Sequence, residues 1–253
     1  MGLPLQPAEM PTRRTITPNI EQPRHGRHTH SALKIQMSQP ITIEVFSDIA
    51  CPFCYIGKHR LEEALAQRTD LQAEVLWRTF ILDPDVDESA LGQPSLPHLA
   101  QKKGWTLEQA HEIVRGVTEQ GAGAGIDFRF DRSLVVDTQD AHRLLHWAGT
   151  LGKANELKEV LFRAHFTDGL DLVDLNVLAD LAGSVGLDAQ EARAVLETGQ
   201  YADDALADLK LADRFNIRGV PFFVFNRQFS VSGAQPVSVF LRALEQASSE
   251  ANQ

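Results

Sequence analysis

The chain has 253 residues, a formal charge of -10 and an isoelectric point near 5.3. That balance argues against nucleic acid as the main partner, because phosphate binding needs a basic face. No run approaches the roughly 18 apolar residues of a membrane span, and the chain is long enough to bury a core without disulfide staples.

Residues 1–38 differ from the rest. They hold five prolines, five basic residues, only Glu9 and Glu21 as acids, and the cluster His25, His28 and His30, so this tail is +3 and the remainder -13. Few large apolar residues and no periodicity predict a disordered tail. It has no apolar segment of the kind a secretory signal carries, and its prolines interrupt any amphipathic transit helix, so a cytoplasmic location is expected. Met37 is a candidate translation start.

The first strand is predicted over 41–46 and the first helix over 55–66, with Cys51-Pro52-Phe53-Cys54 between them. A second strand is expected over 71–80 from its alternation and its β-branched and aromatic content. A loop rich in Pro, Asp and Ser follows over 83–97. From Pro97 to about Leu211 nearly everything reads helical, with apolar spacings of three and four near 106–121, 138–150, 153–166, 174–185, 188–197 and 200–215. Asp174 and Asp188 are placed as N-caps, and Gly152, Gly186 and Gly199 as stops. The GAGAG run at 121–125 lacks phosphate-binding spacing after a strand and reads as a loop between helices. Strands return at 222–225 and 229–231 around an Asn226-Arg227 turn, and a last helix runs over 236–246. The architecture expected is α/β, a thioredoxin-like mixed sheet with a large all-helical insertion. The sheet would come from 39–82 and 201–250, the insertion from 83–200.

Cys51 and Cys54 are the only cysteines. A cysteine at a helix start lies in the positive field of unpaired amides, which favours the thiolate. The thiolate is the nucleophile of disulfide exchange, and a second thiol three residues on can resolve the mixed disulfide. C-x-x-C beside strand and helix patterning marks a thioredoxin-like redox motif. The competing reading is half a zinc site completed by histidines such as His59, although such sites want four ligands. Gly219-Val220-Pro221 opens the late hairpin, where a proline needs a positional reason. That reason is either a trans proline starting an edge strand or a cis peptide beside the cysteines. The cis form would leave the Val220 backbone free to pair with an extended substrate. Asp48 reads either as a proton acceptor for Cys54 or as a turn or capping carboxylate. Trp77, Trp105, Trp147, Phe222, Phe223 and Phe225 read as core.

The run Ser47 to Lys58 (SDIACPFCYIGK) resembles the active-site signature of FrnE-type proteins, a branch of the DsbA family. The likeness continues through Asp140-Ala141-His142-Arg143-Leu144, Leu161-Phe162, Gly219 to Phe225 and Ser232-Gly233-Ala234-Gln235, in order from Ile41 to Ala247. It implies a thioredoxin fold with a helical insertion, Cys51 as attacking thiol, Cys54 as resolving thiol and Pro221 in cis. It also implies that Val220, Pro52 and Phe53 meet the substrate, with Asp137 and His142 facing the site from the insertion. Where the family often has Asn-Thr, this chain has Asp137-Thr138, and it lacks the second cysteine pair some relatives carry. The expected partners are thiol or disulfide substrates, protein or small molecule, with no cofactor beyond the redox-active disulfide and with glutathione as a candidate co-substrate. Pro52-Phe53 supplies no cation beside Cys51, so a less depressed thiol pKa is expected than a histidine there would give. Two rivals stand beside this reading. One is a glutathione-dependent enzyme akin to 2-hydroxychromene-2-carboxylate isomerase or kappa-class glutathione transferase, which use a serine where this chain has Cys51. The other is a zinc-binding or holdase-like interaction protein.

Overall fold

The computed structural model describes residues 40–250; the tail, its His cluster and Met37 lie outside the described residues. Strand β1 (Ile41–Ser47) is buried at six of its seven positions, with Ile41, Ile43 and Val45 on one face and Thr42, Glu44 and Phe46 on the other. Ile41, Ile43 and Val45 meet Leu61 and Ala64 of α1 (Pro52–Ala66) and Phe240 and Leu244 of α9 (Val237–Glu250). Phe46 points the other way, onto Ala212, Ile217 and Val224. Each such fully buried Ile or Phe contributes roughly 1.5–3 kcal/mol.

Strand β1 pairs in parallel with β2 (Ala73–Thr79) and antiparallel with β3 (Phe222–Phe225), which pairs antiparallel with β4 (Phe229–Ser232). The order is therefore β2-β1-β3-β4, with the two central strands drawn from opposite ends of the chain. Asn226 and Arg227 form the hairpin turn at φ of 49° and 57°. Positive φ is ordinary for Asn and costly for Arg. The turn holds because the Arg227 guanidinium donates to both oxygens of buried Glu44, at 2.6 and 2.9 Å.

Between β2 and β3 lie α2 (Ser95–Lys103), α3 (Leu107–Ala122), α4 (Gln139–Thr150), α5 (Ala154–Arg163), α6 (Leu175–Ser184), α7 (Ala189–Glu197) and α8 (Ala202–Arg214). Asp174 and Asp188 cap α6 and α7 through their side chains. Gly152, Gly186 and Gly199 follow helix ends at φ of 70°, 86° and 70°, where a Cβ would be strained. The block has a core of its own, including Leu144, Leu157, Leu161, Leu178 and Leu196. Helices α4, α5 and α8 also pack on β2, and the described residues all fall within one compact unit.

Two local features differ from the sequence expectations. Helix α2 begins at Ser95, with Pro97 tolerated in its first turn, where no intrahelical donor is lost. Helix α5 ends at Arg163 and passes into a single π-turn over Ala164–Asp168, which buries His165 and Phe166. The segment 123–138 between α3 and α4 is non-helical, in line with helical spacings that stop at 121 and resume at 138. There the alternating Ile126, Phe128 and Phe130 run as a strap, held by Arg129 N–H to the Phe166 carbonyl at 2.7 Å and Val135 N–H to the Gln93 carbonyl at 2.8 Å.

Candidate active site

Cys51 is the N-cap of α1 and Pro52 its first helical residue. Proline suits that place because its missing N–H would have no helical partner. The first turn closes through Cys54 N–H to the Cys51 carbonyl at 3.0 Å. Both cysteines are free thiols and buried, whereas Phe53 between them is 40% exposed. The Cys51 thiol donates to the Val220 carbonyl at 3.7 Å, and the Val220–Pro221 peptide is cis. Two contacts brace that loop. The Pro221 carbonyl accepts from Gly233 N–H at 2.8 Å, and Pro221 lies against Gly57, where an added Cβ would meet its ring carbon at 2.9 Å.

In the dithiol the Cys51 thiol is pushed well above its usual range. The hydrogen bond with Cys54 comes first, then burial, then negative charge at Cys54 and Asp48. The Cys54 backbone N–H, in the first turn of α1, acts in the opposite sense and is outweighed.

Asp48 is fully interior. Its Oδ2 accepts from Leu82 N–H at 2.7 Å and its Oδ1 from Ala50 N–H at 3.3 Å, so the carboxylate braces the turn that presents Cys51. Burial raises its pKa, but His142, the Leu82 amide and Thr138 together carry it below the ordinary value. The His142 ring lies 3.5 Å from Asp48, without hydrogen-bond geometry at its Nε2. Burial first, and then the Lys158 cation, hold His142 below its usual pKa against the pull of Asp48. We therefore take it as neutral near pH 7, which makes the backbone amides the firmer support of the Asp48 charge. Being 2% exposed, His142 touches Asp48 and not the surface a substrate would reach. Asp137 accepts from Gln139 N–H at 2.9 Å at the start of α4, a local turn contact.

His59 is engaged at both ring nitrogens, by the Ala124 carbonyl at 2.9 Å and Glu159 at 3.2 Å. Among the described residues, the cluster able to offer three metal-ligating groups is His59, Glu62 and Glu159. The Lys58 ammonium already bridges its two carboxylates at 2.9 and 2.6 Å. Neither cysteine belongs to this cluster.

The spacing of motifs did not reveal several residues around the thiols. Val117, Ile126, Phe128, Phe162 and Phe166 close over Cys51, Cys54 and Tyr55 from the helical block. Phe162 stacks on Tyr55 at 4.9 Å between centroids. Lys158, one turn before Phe162 on α5, is 0% exposed, and its Nζ has no hydrogen-bond partner among the described residues. A lysine amid apolar spacing reads from sequence as a solvated position. The signal that could have marked it is its place in the i, i+3, i+4 stripe of Leu157, Leu161 and Phe162.

Two free thiols spaced C-x-x-C at a helix start, on a thioredoxin-type sheet, define a DsbA-like disulfide oxidoreductase. The chain belongs to the DSBA-like thioredoxin domain family, matched over residues 42–245. It is similar to the crystal structure of the probable DsbA oxidoreductase SCO1869 of Streptomyces coelicolor, at 41% identity and a TM-score of 0.78, covering 83% of this chain and 91% of that one. It is 29% identical over 215 residues to the uncharacterized protein YwbO of Bacillus subtilis, covering 81% of this chain and 96% of the relative. The cytosolic disulfide reductase DsbM of Pseudomonas aeruginosa shares the fold at 17% identity and a TM-score of 0.56, covering 83% and 97%, and that protein has also been solved with GSH.

Proposed function

We propose that the protein exchanges disulfides through Cys51 and Cys54, with Cys51 as nucleophile and Cys54 as resolving thiol. The observation that carries this reading is the position of Cys51. Its sulfur is at the N-cap of α1, against the Val220 carbonyl and beside exposed Phe53, whereas Cys54 is one helical turn deeper and 1% exposed. In the reducing direction the Cys51 thiolate attacks a substrate disulfide, forming the mixed disulfide and expelling the first substrate thiolate. Cys54 then attacks the Cys51 sulfur and expels the second. The electron pair passes to the substrate, and the two protons end on its two thiols. The oxidising direction is the reverse, and the compartment's potential chooses between them.

Val220, Pro52 and Phe53 form the surface an extended substrate would meet, with the Val220 backbone pairing in the manner of strand addition. Asp137 and His142 act behind this surface, one on the α4 turn and the other on Asp48. Glutathione is a fitting thiol partner, supported by the fold shared with a reductase solved with GSH. A cysteine at position 51 favours dithiol exchange over the serine-based isomerase and transferase chemistry. The reading also places the protein among FrnE-type members acting in a reducing cytosol, where a disulfide is catalytic and not permanent.

The test equilibrates metal-free protein in glutathione buffers and counts free thiols by mass tagging. A single two-electron transition is expected, with Cys51→Ser abolishing exchange and Cys54→Ser accumulating a mixed disulfide on Cys51. A persistent glutathione adduct on Cys51 of the wild type would instead make this a glutathione-using enzyme, and co-purifying zinc with both thiols blocked would make it a zinc protein.

A further inference from the structure

The strap over 123–138 is gripped at three places by the π-turn that ends α5. The Thr167 hydroxyl donates to the Asp127 carbonyl at 2.8 Å, and Arg129 N–H donates to the Phe166 carbonyl at 2.7 Å. The Ser133 hydroxyl lies 3.4 Å from Nε2 of His165. The Phe166 ring meets Phe128 and Phe130 edge-on, with centroids 5.3 and 5.9 Å away. Gly169 lets the strap seat, because a Cβ there would meet Arg132 Cβ at 2.6 Å and the Arg132 carbonyl oxygen at 2.8 Å. Such π-turns are rare and recur at functional sites.

The weak point of this clasp is His165. It is 3% exposed, and its Nδ1 has no hydrogen-bond partner among the described residues. A neutral imidazole fits this setting and an imidazolium does not, because a buried cation with two N–H donors needs partners and a counter-charge. No charged group in contact supplies them. Arg163 and Asp168, flanking and ending the π-turn, pair with each other at 3.2 Å. On the strap, Arg129 lies 3.6 Å from Asp131, and Asp127 and Arg132 are exposed. Asp48, from the strand-to-helix turn, favours the imidazolium, but burial outweighs it and holds His165 at about 4. His142, also buried, differs in having the Asp48 carboxylate at 3.5 Å.

We propose that the strap is a gate over the dithiol, held shut by the π-turn while His165 is neutral and released when its imidazole takes up a proton. The smallest opening that hydrates the ring parts the strap from the π-turn and draws Ile126 and Phe128 off Cys51 and Cys54. The layer of α1 and α9 on the sheet has its own core and stays folded. In the open form His165 regains its ordinary value of 6.5, above the value of about 4 in the closed form, so the open form binds more protons between them. Closure is therefore strongest above pH 6.5, weakens as pH falls, and has lost this contribution below about pH 4. Glu159, at about 2, stays ionised across that window, so the α1–α5 tie holds while the strap lets go. What the gate serves rests on the dithiol reading above; the opening itself does not.

Hydrogen exchange of the full chain in its dithiol form tests this. Corrected for intrinsic rates, amides of 126–135 should open about tenfold more at pH 5 than at pH 6.5, while those of β1 and α9 keep their protection. In His165→Phe, which keeps a ring and cannot be charged, the rise should vanish. The NMR midpoint of His165 in the wild type should lie at about 4. A second measurement follows labelling of the cysteines by dipyridyl disulfide, which reacts with thiols in acid. The ratio of wild-type to variant rate should rise about tenfold over the same interval. Constant strap protection in the wild type, an equal rise in the variant, or a His165 midpoint at about 6.5 would overturn the gate. So would loss of protection in β1 together with the strap, or a strap that opens with no change in the labelling ratio. If His165→Phe does not fold, wild-type strap protection and the His165 midpoint decide. Should the wild type form no intramolecular disulfide, the dithiol reading falls, and exchange still decides whether His165 releases the strap.

Discussion

The Cys51 sulfur lies 3.7 Å from the carbonyl oxygen of Val220, a residue 169 positions further along the chain. This contact joins the N-terminal strand-to-helix turn to the start of the C-terminal hairpin, and its geometry depends on how closely α1 approaches Pro221. Gly57 is what permits the approach, because a Cβ there would meet the Pro221 ring at 2.9 Å and the Phe223 ring at 3.1 Å.

Gly57→Ala should therefore force α1 and the Pro221 loop apart. Overpacking of this kind costs about 1–3 kcal/mol. Thermal unfolding should show a lower Tm, and single-turnover reaction with a model disulfide should be slower. A variant with unchanged Tm and rate would mean that the loop yields without disturbing Cys51.

Asp48 has two opposed effects, one on the turn and one on the thiol. Its charge helps to hold the Cys51 thiol up, so Asp48→Asn should make Cys51 more acidic and faster to alkylate at neutral pH. The same change presents an amide N–H2 to one of the two backbone donors at Leu82 and Ala50, at a cost of about 1–3 kcal/mol. Greater reactivity with lower denaturant resistance is the expected pair of outcomes. Loss of reactivity would instead make Asp48 the proton acceptor for the cysteines.

Glu159 ties α5 to α1. It accepts from the Tyr55 hydroxyl at 2.7 Å and from the Lys58 ammonium at 2.6 Å, and contacts His59. Burial raises its pKa, but His59, Lys58 and Tyr55 outweigh that and take it from 4.5 to about 2. A depressed carboxylate stabilises the fold above its unfolded value and loses that contribution as pH falls. The contribution should be complete above about pH 5 and lost as pH falls toward 2. With the side chain 34% exposed, solvent screening reduces it to about 1–2 kcal/mol. Urea midpoints of wild type and Glu159→Gln should differ near pH 6 and converge near pH 2. A constant difference across that range would assign the effect to packing.

Phe53 offers a way to retune the couple without touching the core, because its side chain is 40% exposed. Phe53→His places a protonatable ring beside the α1 N-terminus, where a cation favours the Cys51 thiolate. The glutathione equilibrium should move toward the dithiol by about tenfold at pH 6, with a smaller effect at pH 8, where the imidazole is neutral. An equal shift at both pH values would point to loss of the Phe53 ring and not to the new charge.

The primary structure alone determined the strand-helix-strand opening, the caps at Asp174 and Asp188, the late hairpin and the Cys51–Cys54 pair. These are local matters of period, cap chemistry and turn residues, written in neighbouring letters. The tertiary structure alone decided which side chains surround the sulfurs. The strap over 123–138 is held by the backbone of the π-turn and of the segment before α2, so no local pattern marks it. Lys158 and Glu159 are adjacent letters on one helix with opposite fates. Lys158 is shut in behind Trp77 and Phe162, whereas Glu159 meets Lys58, His59 and Tyr55 across the α1–α5 contact. Burial and partner charges set the ionisation of both, and these arise only when segments about 100 residues apart are brought together.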